Sequence, residues 1–182
     1  AVLILIAYAM IDKLQDGKKQ LLDATALIND MLNPRYIDFL RGVAGQIHTH
    51  EDLYIIGKSW NFPMALESAI KIQEVSYIHA EGFAGSELKH GPIALIDNEM
   101  PVVFLVTENQ YDKVLSNIRE VKSRGGRIII VTSVYKEELK EYSDHIIHVP
   151  KAHNLLMPLI MTVPLQLLSY FVAVAKECNV DQ

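Results

Sequence analysis

Ionisable side chains between Glu67 and His90 include the residue types that could carry out chemistry. Glu67, Lys71 and Glu74 are spaced by four and three residues, so a helix would place all three on one face, with neighbouring Cβ atoms about 5–6 Å apart. His90 follows sixteen residues after Glu74. A carboxylate, an ammonium and an imidazole are the groups needed to open a sugar ring and move a proton beside a carbonyl. The same spacing is also typical of a solvated helix face.

Short apolar segments that alternate with helical patterns predict the scaffold for these side chains. The predicted strands cover residues 53–57, 78–81, 102–107, 127–132 and 146–149. The predicted helices cover residues 62–76, 86–91, 109–124, 135–141 and 154–177. Alternation of this kind implies a parallel sheet covered on both faces. We therefore predict an α/β fold, a three-layer doubly wound domain with a five-stranded parallel sheet.

The loop at 57–61, Gly-Lys-Ser-Trp-Asn, follows the first predicted strand. Ligands of doubly wound domains bind outside the carboxyl ends of the strands, near the switch in strand order. The loop would lie on the rim of such a crevice, which makes Ser59 a candidate substrate-binding residue.

The residues before 34 have a different pattern. Residues 1–11 are almost wholly apolar, residues 18–32 carry a helical apolar stripe, and Asn33-Pro34 breaks the pattern before a helix at 35–49. The apolar run is shorter than the roughly 20 residues that cross a bilayer, and no basic segment precedes it, unlike in a signal peptide. We predict a helical tail of a preceding domain plus a linker at 1–33, with the first helix buried in a longer polypeptide, and the α/β domain at 34–182.

The composition excludes several function classes. A net charge of −5 and a pI near 5.8 give no general attraction to nucleic acid or to anionic membranes. One cysteine, Cys178, cannot form an intramolecular disulfide, and no Cys/His spacing suggests a zinc site. We expect a cytoplasmic domain without a metal or cofactor.

Several strings of residues resemble a known family. They are YIHAE at 77–81, ELKHGP at 87–92, ALID at 94–97, PLQLLSY at 164–170 and VDQ at 180–182. Together they resemble the second sugar isomerase (SIS) domain of the glucosamine-6-phosphate synthase family, over residues 35–182. The resemblance implies part of the isomerase region of a glutamine:fructose-6-phosphate transaminase (isomerising). Such an enzyme converts fructose 6-phosphate and glutamine-derived ammonia to glucosamine 6-phosphate by ring opening and proton transfer.

The resemblance also implies partners and residue roles. It implies a homodimer, with a glutaminase domain and a first SIS domain elsewhere in the polypeptide. Glu74 matches the base that moves a proton between the first two carbons of the open-chain sugar, and Lys71 matches a lysine that holds the base and the substrate. His90 matches the ring-opening histidine, which is donated to the neighbouring subunit. Glu67 has either a supporting role in substrate binding or a salt bridge.

Other interpretations remain for the same residues. Glu74 could be a surface carboxylate paired with Lys71, and His90 could cap a helix. His79 is predicted to be a structural neighbour of the site, and His48 and His50 to lie on a solvated helix end.

The family's Ser/Thr-rich phosphate loop belongs to the first SIS domain, and its tail lysine lies beyond the VDQ string. We therefore expect the chain alone to be inactive. The alternatives are a non-catalytic sugar-phosphate-binding regulator and a fructosamine-phosphate deglycase. The residues that precede Ala1 and follow Gln182 in the natural protein would distinguish these functions.

Overall fold

The computed structural model describes residues 1–97 and 99–180; Asn98 and residues 181–182, the end of the predicted domain, lie outside this description. The helices are α1 (Val2–Met10), α2 (Leu14–Met31), α3 (Pro34–Ile47), α4 (Asn61–Ser76), α5 (Tyr111–Ser123), α6 (Glu138–Tyr142) and α7 (Met157–Ala175). The strands are β1 (Asp52–Gly57), β2 (His79–Ala84), β3 (Pro101–Val106), β4 (Arg127–Thr132) and β5 (His145–His148). Short 3₁₀ turns cover Leu88–His90, Pro92–Leu95 and Glu108–Gln110.

The five strands form one parallel sheet in the order β2-β1-β3-β4-β5. The chain steps outward from β1 to β2 and then returns to the other side of β1 with β3, so the switch in strand order lies between β1 and β3. The predicted α/β class with a five-stranded parallel sheet is confirmed. The helix predicted at 86–91 was wrong in type, because Gly85 and Gly91-Pro92 leave room only for the 3₁₀ turn Leu88–His90.

The sheet separates two hydrophobic cores. Alternate residues of β1 point to opposite faces, so Leu53 and Ile55 belong to the first core, while Tyr54 and Ile56 belong to the second. Helices α3, α4 and α7 cover the first core. Helices α5 and α6 and the turns between residues 88 and 95 cover the second core. Every side chain of β3 is buried, as a strand covered on both faces requires.

The N-terminal helix α1 lies at the surface of the described chain, so its predicted burial in a longer polypeptide stays a prediction. Helix α1 is apolar, yet none of its residues is buried, and Leu3 and Met10 are each 81% exposed. The expected burial of this helix is therefore not found within the described chain. Helix α2 packs on the first core through Met31. The predicted break at Asn33-Pro34 is a real helix boundary, because the Asn33 side chain accepts a hydrogen bond from the Tyr36 backbone N–H, and Pro34 begins α3.

Helix α7 is the longest helix in the described part of the chain. By length and composition it could cross a bilayer, but 56% of its apolar window is buried inside the domain. It packs against α3 and α4 in the first core. This burial is typical of the central helix of a globular fold.

A buried amide joins the start of α4 to the end of β3. Asn61 is 3% exposed, and its Nδ2 donates to the Leu105 carbonyl at 3.1 Å and to Thr107 Oγ1 at 3.2 Å. These bonds fix the loop after β1 against the loop after β3, at the switch in strand order.

We expect Asn61→Ala to lower the free energy of unfolding by about 1–3 kcal/mol, because the buried Leu105 carbonyl would lose its side-chain partner. Urea denaturation followed by circular dichroism measures this loss. The matched control is Asn109→Ala, on the exposed loop after β3, which should change stability by less than about 0.5 kcal/mol. Equal stabilities of the two variants would contradict a structural role for the Asn61 amide.

Candidate functional site on helix α4

Glycines allow α4 to lie close against the sheet. A Cβ atom on Gly82 of β2 would meet the backbone of Ala65 and Leu66 at 2.7–2.8 Å, which is shorter than any ordinary contact. Helix α4 therefore packs directly on β2, with Ala65, Ala69 and Ile72 turned into the first core. The opposite side of the helix faces outward.

That outward face carries the three residues selected from the sequence. Lys71 Nζ donates to Glu74 Oε2 at 2.6 Å, and the two side chains are 37% and 60% exposed. The hydrogen bond to Glu74 and the charge of Glu74 raise the pKa of Lys71, and Glu67 adds to this shift. Glu67, Lys71 and Glu74 thus share one helix face, as the spacing predicted.

A shallow groove of about 240 Å³ lies beside this face, between α4 and α7. It is lined by Lys71 and Val75 from α4, Gln166 and Tyr170 from α7, and Val180 near the end of the described chain. Tyr170 of the groove is an exposed large side chain, and Ile70 of α4 and Val174 of α7 are exposed apolar residues on the same two helices. The Lys71–Glu74 pair therefore lies at an open surface that is partly apolar.

His90 is held at a different place. Leu88 is completely buried in the second core and anchors the turn, and Lys89 pairs with Glu120 of α5 at 2.5 Å. His90 itself is exposed, with Nδ1 3.3 Å from Glu87 Oε2. Gly91 follows with φ at 144°, a conformation that favours glycine. The turn therefore presents the His90 imidazole to solvent.

The predicted site residues do not form one cluster within a chain. Lys71 and Glu74 lie in the helical layer over the first core, whereas His90 lies in the layer over the second core. The sheet stands between them. Within the described chain, Glu74 and His90 therefore lie on opposite faces of the sheet.

Ser59 lies at the other end of α4 from Glu74. The fifteen residues that separate them correspond to about 20 Å along a helix. Ser59 is exposed, with φ at 54°, beside a cleft of about 120 Å³. Residues that line this cleft include Lys58, Trp60, Asn61, Thr107 and Asn154. The loop lies at the carboxyl end of β1, as predicted, but away from Lys71 and Glu74.

Sequence reasoning missed a second titratable cluster, at the amino ends of β1 and β2. His79 Nδ1 is 2.7 Å from Asp52 Oδ1, and His79 Nε2 is 3.4 Å from Glu81 Oε1. The hydrogen bond to Asp52 raises the pKa of His79. The available signal was the alternation of polar and apolar residues at 52–54 and 79–81, in strands otherwise expected to be apolar on both faces.

Comparison with known proteins identifies the family of the chain. The family model described as the SIS domain matches residues 46–176. The chain belongs to the SIS domain family. A relative from Chlorobaculum tepidum, named glutamine–fructose-6-phosphate aminotransferase (isomerizing), is 46% identical over 146 residues, which cover 80% of this chain and 24% of the relative. A relative of the same name from Methanosarcina acetivorans is 42% identical over 179 residues, covering 86% of this chain and 29% of the relative.

A solved structure agrees with the sequence relatives. The C-terminal domain of glucosamine-fructose-6-phosphate aminotransferase from Francisella tularensis superposes with a TM-score of 0.82 at 34% identity, covering 94% of this chain and 48% of that chain. The predicted resemblance to this family is confirmed. The SIS domain described here spans about a quarter of the length of the curated relatives.

Proposed function

We propose that this SIS domain is part of the isomerase region of a glutamine–fructose-6-phosphate aminotransferase. In the proposed reaction, fructose 6-phosphate and ammonia from glutamine yield glucosamine 6-phosphate and water, because ammonia replaces the carbonyl oxygen at the second carbon of the opened sugar before the proton moves. The similarity to enzymes of that name supports the proposal. The structural observation that carries it is the Lys71–Glu74 pair, open to solvent beside the α4–α7 groove.

The proposed roles divide the chemistry between two positions. His90 moves a proton at the ring oxygen and so opens the sugar ring. Glu74 takes a proton from the first carbon of the open chain and returns it to the second carbon. Lys71 orients the Glu74 carboxylate through the 2.6 Å bond, and Glu67 supports Lys71 electrostatically. These proton transfers need no metal or cofactor.

The exposed surface around the groove suggests what completes the site. Ile70, Tyr170 and Val174 are exposed on the two helices that border the groove, and exposed apolar surface of this kind marks contacts with other domains. We propose that the first SIS domain covers it, supplies the grip on the sugar phosphate and excludes water from the Lys71–Glu74 pair. Ser59 is left with a minor role in substrate binding, because α4 separates it from Glu74.

The proposal extends to the whole polypeptide. Residues 1–33, with the exposed helix α1, are assigned to the preceding domain and its linker, and residues 34–182 to the SIS domain. The other proposed parts are a glutaminase domain, a homodimeric assembly and a cytoplasmic location. The separation of Glu74 from His90 supports the dimer, because a second chain can bring its own His90 to the Glu74 of the first.

The test is an assay of the complete polypeptide with fructose 6-phosphate and glutamine, in which glucosamine 6-phosphate formation is measured. We expect turnover that depends on both substrates. Cleavage of a fructosamine phosphate without net synthesis would instead support a deglycase. Binding of sugar phosphates without either reaction would overturn the enzymatic proposal in favour of a regulator.

A further inference from the structure

A cavity of about 370 Å³ opens at the amino ends of β1 and β2, and neither Lys71 nor Glu74 lines it. It lies on the face of the sheet that belongs to the second core. Four carboxylates line it, those of Glu51, Asp52, Glu81 and Asp97. His50, Tyr54, His79, Leu95 and Met100 provide the rest of the lining.

The pairing of β1 with β2 creates the polar wall of this cavity. Asp52 lies opposite His79, and Tyr54 lies opposite Glu81. Strands covered on both faces are normally apolar on both, and the next pair on this face, Ile56 and Phe83, follows that rule. The polar amino half of the two strands lines the cavity, and the turn Pro92–Leu95 borders it through Leu95.

Tyr54 presents an unused hydroxyl to this space. The residue is 3% exposed, and its ring packs edge-on against Phe83 at 4.8 Å between centroids. Burial, together with Glu81 and Asp52, raises the pKa of Tyr54, so its hydroxyl lies near two of the carboxylates that line the cavity. Within the described chain, the hydroxyl forms no hydrogen bond. The ring is buried, but the hydroxyl oxygen is not among the fully buried atoms that lack a partner, so it reaches the cavity and can accept a hydrogen bond there.

The charges around the cavity are unbalanced. The His79 imidazole spans Asp52 and Glu81, but among the described residues Glu51 and Asp97 form no ion pair. Burial, followed by the charge of Arg127, lowers the pKa of His50, so His50 is neutral at pH 7. The nearby Arg127 guanidinium is itself bound to Glu99. The lining therefore has a negative charge that its own residues do not neutralise.

We propose that this cavity binds a small organic cation, a primary alkylammonium compound that carries no anionic group. The ammonium donates to the carboxylates and to the Tyr54 hydroxyl oxygen, and the alkyl part lies against Leu95 and Met100. The volume is in the range of small-molecule sites. Among the described residues, no three acidic, histidine or cysteine side chains are grouped closely enough to hold a metal ion. This favours an organic ammonium over a metal ion as the ligand. A sugar phosphate would be repelled, so this site does not rest on the function proposed above.

The test is calorimetric titration of the complete polypeptide with butylamine and with 1,4-diaminobutane. We expect saturable binding of both amines and none of 1-butanol or butyrate. Tyr54→Phe removes only the hydroxyl and should weaken binding about 3–10-fold. Glu81→Gln removes one carboxylate charge and should weaken it about tenfold or more. Circular dichroism checks that each variant is folded.

Matched control variants lie after β4, away from the residues that line the cavity. Glu137→Gln changes a carboxylate that is 87% exposed, and Tyr135→Phe removes a hydroxyl from an exposed ring; both should bind the amines like the unaltered chain. Equal binding of 1-butanol, or unchanged affinity in both cavity variants, would overturn the proposal. Binding by the 182-residue chain but not by the complete polypeptide would also overturn it, because another part of the protein would then fill the cavity.

Discussion

Replacement of Glu74 by Gln in the complete polypeptide is expected to slow the proposed isomerisation of the sugar by about 10²–10⁴-fold, the usual contribution of a positioned general base. Gln keeps the shape of the side chain but cannot accept the proton from the first carbon. Release of ammonia from glutamine should continue, because the proposal assigns that step to a separate glutaminase domain. The measurement is exchange of solvent deuterium into the second carbon of the sugar, alongside glucosamine 6-phosphate formation.

Two control variants, one on the same helix and one outside it, make this test specific. Glu67→Gln, on the same face of α4, should cost much less, since Glu67 acts only through Lys71. Glu137→Gln, an exposed carboxylate beyond β4, should have no effect. Deuterium exchange at the unaltered rate in the Glu74→Gln enzyme would remove Glu74 from the proposed role and leave it as a surface partner of Lys71.

The sequence was sufficient for the fold because the strands other than β2 contain continuous apolar runs. All five strands were predicted, and their order followed the doubly wound pattern once β2 and β3 were placed on opposite sides of β1. The predicted strands at 53–57 and 78–81 missed the start of β1 at Asp52 and the last three residues of β2, 82–84, because these residues do not continue an apolar run. For the same reason the polar ladder formed by Asp52, Tyr54, His79 and Glu81 was missed, and with it the cavity that the ladder lines.

The site was only partly predictable. The Lys71–Glu74 contact follows from helical spacing alone. The position of His90 does not, because it depends on which face of the sheet the segment after β2 covers. Leu88 and Ile93 are buried in the second core, and they hold the segment on that face of the sheet. The spacing of residues along the sequence does not show on which face an apolar residue will be buried.

The same separation leads to a prediction about assembly. If Glu74 and His90 act on one substrate, we expect them to come from two chains, because they lie in layers on opposite faces of the sheet in each chain. Full-length Glu74→Gln and His90→Ala enzymes should each be nearly inactive. After subunit exchange, activity should return to about a quarter of the unaltered level, since half of the two-fold dimers would be mixed and each would have one intact site of two.

The control for this recovery is a mixture of the Glu74→Gln enzyme with a Glu74→Gln/His90→Ala double variant, in which every possible dimer lacks an intact Glu74. That mixture should stay inactive. Differently tagged subunits, recovered together by affinity capture, establish that exchange has taken place. If the captured mixed dimers of the two single variants remain inactive, His90 does not complete a site that contains the Glu74 of its partner, and the exposed imidazole beside Glu87 serves its own chain or has no catalytic role.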